Sequence, residues 1–98
     1  MSRKSEVLEY LRSNKDNFSK KFGVVRVGLF GSVAKEMDTK NSDIDIAIEM
    51  DKKRKNLKNF FGFKRELEKR FGTKVDVGIE TTLKPIVKEA IKEEIIYV

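Results

Sequence analysis

The stretch LFGSVAKEMDTKNSDIDIAIE, residues 29–49, decides the fold because it joins two strand patterns through a turn that contains a glycine. In residues 43–49 apolar side chains alternate strictly with acidic or small ones, which is typical of a half-buried β-strand. The run VVRVGLF, residues 24–30, predicts a preceding strand that stops at Gly31. Residues 32–37 are then expected to form a short turn or helix between the two strands.

Apolar residues at helical spacing lie on both sides of these strands. They predict a first helix over residues 2–18 and an amphipathic helix over residues 57–71 that ends at Gly72. In the second helix Phe63 is expected to lie off the apolar face, and Lys64 is the only polar residue on it. That face comprises Leu57, Phe60, Phe61, Lys64, Leu67 and Phe71.

The C-terminal third predicts one more strand and one more helix. Residues 74–79 alternate like a strand, and Pro85 suits the first turn of a helix over about residues 84–94. The apolar face of that helix is expected to contain Ile86, Val87, Ala90 and Ile91. The tail, residues 95–98, covers the core, extends the sheet or pairs with a second copy of the chain, so a homo-oligomer stays open.

The order of these elements predicts an α/β (α+β) fold. We expect a small mixed sheet with helices packed on one face, in a single domain over residues 1–98. The chain has no apolar run of membrane-spanning length and no signal-peptide pattern at its N-terminus. A cytoplasmic protein without membrane contact is therefore expected.

The composition limits the chemistry of any site. Because the chain contains no cysteine and no histidine, zinc sites built from these residues, thiolate chemistry and histidine acid–base catalysis are excluded. A metal ion would need oxygen ligands, which favours magnesium, calcium or manganese. The net charge of +6 favours an anionic partner.

The basic run KKRK, residues 52–55, raises the question of nucleic-acid binding. No aromatic residue interleaves with it, and a solvated loop before a helix is the simpler interpretation. A nucleic acid is therefore not expected as a direct partner.

The alternation of the second and third strands places three carboxylates on one face of the predicted sheet. Asp43, Asp45 and Asp76 all lie opposite the apolar side chains, which must face the helices. If the strands are neighbours, the carboxylates converge and repel one another unless a divalent cation binds. The pattern predicts one or two magnesium ions held by these residues. One carboxylate would remain as a base for an attacking hydroxyl.

Gly31 and Ser32 stand at the junction of the first strand and the short helix. Such a junction presents free backbone N–H groups and the positive end of a helix dipole, and a glycine allows close approach to a phosphate. The hydroxyl of Ser32 is a further phosphate ligand. Lys35, one turn on, either adds a positive charge to this site or lies in solvent.

Each of these patterns is common by itself, and an Asp-x-Asp strand is more often just an exposed polar face. Their combination is much more specific. Gly31-Ser32, ten residues and Asp43-Ile44-Asp45 match the GSx10DxD signature of the DNA polymerase beta-like nucleotidyltransferases. The surrounding sequence resembles the minimal nucleotidyltransferases, whose typical run reads FGSxARGxxxxxSDIDL. The resemblance is best over residues 24–50, and the later elements follow the same layout.

The resemblance implies roles for the matching residues. Gly31 and Ser32, with Lys35 beside them, would bind the phosphates of ATP, and Asp43 and Asp45 would bind magnesium. Asp76 would be the third carboxylate and the general base. Such proteins are commonly encoded beside a small helical HEPN protein, a ribonuclease toxin, and some transfer AMP from ATP to a tyrosine of that toxin. The resemblance thus implies the antitoxin of a toxin–antitoxin pair.

The chain departs from the family pattern at one place. Lys35-Glu36 stands where the family has Arg-Gly. Lysine keeps the positive charge of arginine but not its fork geometry, and the glutamate adds a negative charge near the predicted phosphate site. The alternative to an enzyme is therefore a catalytically weak binding module that neutralises its partner by docking.

Overall fold

The computed structural model of the chain describes residues 2–39 and 41–98. A four-stranded sheet forms its centre. The helices are α1 (Arg3–Ser13), α2 (Lys15–Phe22), α3 (Gly31–Ala34), α4 (Leu57–Phe71) and α5 (Pro85–Ile91), and the strands are β1 (Val24–Phe30), β2 (Ile44–Met50), β3 (Val75–Ile79) and β4 (Ile96–Tyr97). Short 3-10 turns cover Lys52–Arg54 and Glu80–Thr82. Within the described ranges, no helix has the length and apolar character needed to cross a membrane.

The sheet is mixed, as predicted, with the strand order β3-β2-β1-β4. Strands β2 and β3 are parallel, whereas β1 runs antiparallel to both of its neighbours. The C-terminal tail extends the sheet, because Ile96 pairs with Leu29 and Tyr97 pairs with Gly28. Of the three interpretations of the tail, the one in which it adds a strand is confirmed.

The predicted first helix is in fact two helices, α1 and α2, which meet at Asn14. The side-chain amide of Asn14 donates to the carbonyl oxygen of Tyr10 at 2.9 Å, so it competes with the helical backbone. The chain bends there and brings Phe18 of α2 into the core, where 1% of its surface is exposed. Helix α2 then ends at Gly23, whose φ of 72° is left-handed.

The core lies between the sheet and the helices α1, α2 and α4. Its most buried side chains come from all of these elements and include Val7, Leu11, Phe18, Leu29, Ile44, Ile46, Ile48, Phe63, Leu67 and Val75. The isoleucines of β2 all face the helices, which confirms the predicted face of that strand. Burial of this apolar surface is the main driving force for folding.

The prediction for the apolar face of α4 was wrong at Leu57, Phe61 and Phe63. Phe63 is fully buried, whereas Phe61 is 44% exposed and Leu57 is 73% exposed. The ring of Phe63 packs edge-on against Phe18 with the ring centroids 5.0 Å apart. Steps of three and four residues also connect positions 60, 63, 67 and 71, so spacing alone cannot choose between the two faces.

The prediction for the last helix was also partly wrong. Helix α5 is shorter than expected, and Ile86, Val87 and Ala90 are exposed, leaving Ile91 as the buried residue of the predicted apolar face. A Cβ added at Gly28 would meet the side chains of Ile95 and Tyr97, so the residues after α5 lie against β1.

The basic run before α4 has structural contacts. The guanidinium of Arg54 donates to the last carbonyl oxygens of α2, those of Ser19, Lys20 and Lys21, at 2.7–2.9 Å. The Ser19 carbonyl also accepts the N–H of Gly23 at 3.0 Å, and the last carbonyls of a helix lack intrahelical partners, so Arg54 completes the cap of α2. The ammonium of Lys55 lies 3.4 Å from Glu49. The run is the loop before a helix that the sequence predicts, and two of its four basic side chains have structural partners.

Replacing Phe63 should destabilise the protein much more than replacing Phe61. We expect Phe63→Ala to lower the free energy of unfolding by about 3–5 kcal/mol because it leaves a cavity in the core. Phe61→Ala, the same change on the exposed side of α4, should cost less than about 1.5 kcal/mol. Urea unfolding followed by circular dichroism measures both. Equal losses would contradict the burial described for α4.

Candidate active site

The pairing of β1 with β2 brings the glycine turn onto the first carboxylate. Phe30 is the register partner of Asp45, so the next residue, Gly31, lies against the Asp45 side chain. The φ of Gly31 is 77°, and a Cβ added there would overlap the Asp45 carboxylate. Both the backbone conformation and the contact therefore require glycine at this position.

The parallel pairing of β2 with β3 brings a second carboxylate beside the first. Asp45 and Asp76 are direct register partners, so they point to the same face from adjacent strands. Asp43 lies just before β2 on the same side. The ammonium of Lys74 lies 3.9 Å from Asp43 Oδ2 and 3.7 Å from Asp76 Oδ1. The three predicted carboxylates thus share one face, with a lysine between two of them.

The surroundings of Asp45 disfavour its charged form. Its pKa is raised above the ordinary value, first because it is partly buried and then because Asp76, Asp43 and Glu94 are negative. Over residues 2–39 and 41–98, no lysine or arginine forms an ion pair with Asp45, whereas Asp43 and Asp76 share Lys74. Proton uptake or a cation at Asp45 would relieve this repulsion.

The donors at this face fit magnesium in chemical type, since they are all carboxylate oxygens. Their arrangement is open. In the part of the chain that the structure describes, no three acidic side chains are placed closely enough to hold a metal ion together. The side chain of Lys74 lies between two of the carboxylates. Because it is 63% exposed, it can turn outward into solvent. An ion at this face would have Asp43, Asp45 and Asp76 as its available ligands.

Lys35 lies at the glycine turn, but it is paired with a residue that the sequence did not indicate. Its ammonium lies 2.8 Å from Glu94 Oε2, and the backbone N–H of Gly31 donates to Glu94 Oε1 at 3.4 Å. The hydrogen bond from Lys35 is the main cause of the lowered pKa of Glu94. Glu94 reaches this place because the tail pairs with β1, and no local pattern in the sequence reveals that pairing.

The other predicted phosphate ligand, Ser32, is partly buried in α3 directly after Gly31. Helix α3 has only 4 residues, so the expected contribution of a helix dipole is small. Phosphate binding at this turn would depend on the N–H of Gly31, the hydroxyl of Ser32 and the ammonium of Lys35.

The unusual Glu36 turns away from this site. Among the described residues, Glu36 is the only non-glycine residue with a left-handed backbone, with a φ of 57°. Glycine adopts this conformation without strain, which explains why the family pattern has glycine at this position. The carboxylate of Glu36 lies 3.5 Å from the ammonium of Lys4 on α1. The extra negative charge is therefore partnered outside the glycine turn.

Comparison with known proteins identifies the family. The sequence model of the nucleotidyltransferase domain family matches residues 11–98, which include the glycine turn and all three carboxylates. The chain belongs to this family. It is a nucleotidyltransferase, as the signature predicted, and its relatives are minimal members of the same superfamily.

Several relatives resemble the chain over nearly its whole length. Two proteins of Methanocaldococcus jannaschii, named "Putative protein adenylyltransferase" MJ0128 and MJ1379, are each 38% identical to it, with 96% of both chains covered. The "Protein adenylyltransferase MntA" of Thermococcus cleftensis is 29% identical, over 95% of this chain and 93% of that protein.

Solved structures show the same fold. A structure described as a "putative minimal nucleotidyltransferase" superimposes with a TM-score of 0.73 at 31% identity, covering 98% of this chain and 95% of that one. A chain of a structure described as "Crystal structure of the toxin-antitoxin with AMP-PNP" superimposes with a TM-score of 0.64 at 18% identity, covering 97% of this chain and 71% of that one. At that identity the likeness concerns the fold alone.

Adding a methyl group at Gly31 should cost more than adding one at another left-handed glycine. Gly72 has a φ of 64°, and an added Cβ there meets no described atom within 4 Å. Gly72→Ala should therefore lose only the backbone term of about 1–2 kcal/mol. We expect Gly31→Ala to lose about 1–3 kcal/mol more because it collides with Asp45.

Urea unfolding measures both glycine variants, and Gly31→Ala/Asp45→Ala provides the matched control. Without the Asp45 carboxylate, the added methyl group has no side chain to collide with, so the double variant should recover most of the extra loss in the free energy of unfolding. The proposed collision would be wrong if Gly31→Ala and Gly72→Ala lost equal stability.

The raised pKa of Asp45 predicts a dependence of stability on pH. The folded state holds this proton more tightly than the unfolded chain, whose aspartate pKa is about 3.9. The contribution of Asp45 to stability is therefore greatest below that value and is lost as pH rises through the higher folded pKa. Asp45→Asn, which cannot ionise, should be more stable than the native chain at neutral pH.

This gain should shrink as the pH is lowered toward the unfolded aspartate pKa, since the native Asp45 is then protonated as well. Thermal unfolding of both chains across the acid range, without divalent cations, measures the difference. Two stability profiles that stay parallel would contradict the repulsion described at Asp45.

Proposed function

We propose that this chain transfers AMP from ATP to a tyrosine hydroxyl of a HEPN-type toxin and so acts as the antitoxin of a toxin–antitoxin pair. The observation that carries the proposal is the contact of Gly31 with Asp45, together with the register pairing of Asp45 and Asp76. These contacts bring a turn suited to phosphates beside a group of carboxylates. The relatives named as protein adenylyltransferases support the choice of AMP and of a protein acceptor.

The proposed phosphate ligands are the backbone N–H of Gly31, the hydroxyl of Ser32 and the ammonium of Lys35. A glycine lets the backbone approach the phosphate oxygens closely, and lysine offers three donors and a positive charge. Together they would hold the triphosphate so that its α-phosphorus faces Asp45 and Asp76. Fixing the geometry of the two reactants supplies a large part of the catalysis in phosphoryl transfer.

Asp43, Asp45 and Asp76 are the proposed ligands of one or two magnesium ions. Bound magnesium would neutralise charge on the triphosphate and on the leaving pyrophosphate. Asp76, the most exposed of the three carboxylates, would also accept the proton of the attacking tyrosine hydroxyl. The tyrosine oxygen forms a bond to the α-phosphorus, and the bond from that phosphorus to the bridging oxygen breaks, releasing pyrophosphate. Because the donor is ATP, the proposal places the protein in the cytoplasm.

A binding module without strong catalysis is the second candidate. Lys74 lies between Asp43 and Asp76, and Glu94 binds both Gly31 and Lys35. These contacts already satisfy two of the three carboxylates and two of the groups proposed to bind the nucleotide. A chain with such a site could neutralise a partner by docking alone.

Substituting the carboxylates should separate the two functions. Incubation of the purified chain with MgATP and a HEPN-type toxin should yield a toxin heavier by one AMP, detected by intact-mass spectrometry. Asp43→Asn/Asp45→Asn and Asp76→Asn should each slow this transfer by about 100-fold or more, since loss of metal or base removes several kcal/mol of transition-state stabilisation. Chelation of magnesium should do the same.

Asp16→Asn is the matched control, because it removes one carboxylate from the exposed first turn of α2. It should transfer AMP at the native rate. Calorimetric titration of MgATP should show binding that the double variant loses. If the double variant still neutralised the toxin in cells without modifying it, the binding module would replace the enzyme as the explanation.

A further inference from the structure

Glu94 occupies the groups that the proposed function assigns to the nucleotide. One of its carboxylate oxygens accepts the N–H of Gly31 at 3.4 Å, and the other lies 2.8 Å from the ammonium of Lys35. A carboxylate and a phosphate bind such donors in the same way, through oxygens that carry negative charge. The contact is therefore an internal substitute for a phosphate ligand.

A bound triphosphate and Glu94 are not compatible in these positions. The two anions would compete for one N–H and one ammonium, at a face where Asp43, Asp45 and Asp76 are also negative. The negative charge of Glu94 is one of the charges that raise the pKa of Asp45, so Glu94 lies close enough to repel the carboxylates of this face. The cations that face this group are Lys35 and Lys74.

The backbone at Glu94 is fixed, but its side chain is not enclosed. The N–H groups of Glu94 and Ile95 both donate to the carbonyl of Ile91 at 3.0 Å, and β4 begins two residues after Glu94. The Glu94 side chain is 21% exposed and its partner Lys35 is 50% exposed. Rotation of the Glu94 side chain into solvent would free both donors without moving the sheet.

We propose that Glu94 is a tethered competitor of the nucleotide, which binds the glycine turn and Lys35 in the resting protein and must swing out before the triphosphate enters. The inference rests on the proposed function, because it assumes that phosphates bind at Gly31 and Lys35. The competitor lowers the affinity for polyphosphates and keeps Lys35 folded onto the site until a nucleotide arrives.

Calorimetric titration with inorganic tripolyphosphate tests this competition directly, since that probe contains phosphates but no transferable nucleotide. Glu94→Gln keeps the size of the side chain and removes its charge, so its dissociation constant should be about tenfold lower than that of the native chain. Glu93→Gln is the matched control, because it removes the same charge from an exposed neighbouring residue. It should bind the probe like the native chain.

Two further variants keep the test decisive. Glu94→Asp retains the charge on a shorter side chain that reaches Lys35 less well, so it should also bind more tightly than the native chain. In a Lys35→Met background the gain from Glu94→Gln should shrink, because only the N–H of Gly31 is left to compete for. Tripolyphosphate affinity in Glu94→Gln that is equal to or weaker than in Glu93→Gln would overturn the proposal and assign Glu94 to positioning Lys35.

The failure of this inference can be told apart from the failure of the proposed function. A gain in tripolyphosphate binding in Glu94→Gln would support the competitor even if no AMP transfer were observed. AMP transfer by the native chain without that gain would overturn the competitor and leave the proposed function intact.

Discussion

The register between β1 and β2 is the constraint on which the rest of the site depends. Because Phe30 pairs with Asp45, the turn that follows β1 must pass directly over the Asp45 carboxylate. Side chains alternate along a strand, so a slip of one residue would turn Asp45 into the core and an isoleucine onto the site. The buried isoleucines of β2 prevent that slip. Hydrophobic burial on one face of the sheet thus fixes the position of the carboxylates on the other.

Like charges concentrated on one sheet face carry an energetic cost, which the chain offsets with its own cations. Lys74 contacts two of the carboxylates, and Lys35 contacts Glu94. Both lysines are exposed, so these ion pairs are modest in energy and can rearrange when a stronger ligand enters. Asp45, which is partly buried and lacks such a partner in the described residues, is left as the strained group. A cation at this face would relieve the repulsion that remains at Asp45.

The C-terminal segment contributes more to the site than its short elements suggest. Two residues of β4 pair with β1, which anchors the turn that contains Glu94 beside Gly31. The same segment places Ile95 and Tyr97 against Gly28 and so closes part of the open face. The tail therefore links the edge of the sheet to the glycine turn, and its loss should lower the stability of the chain and disturb that turn.

The amino-acid sequence determined the strands β1, β2 and β3, the faces of β2 and β3 and the residues of the glycine turn, because these follow from local alternation and from the conformational freedom of glycine. It also determined the family, because the signature consists of Gly31-Ser32 and Asp43-Ile44-Asp45 at a fixed spacing, which is the length of the single connection between β1 and β2. Tertiary packing decided which face of α4 is buried, because Phe61 and Phe63 fit helical spacing equally well until Phe18 selects one of them. It also decided the role of Glu94, since a contact across 63 positions depends on strand pairing and not on any local pattern.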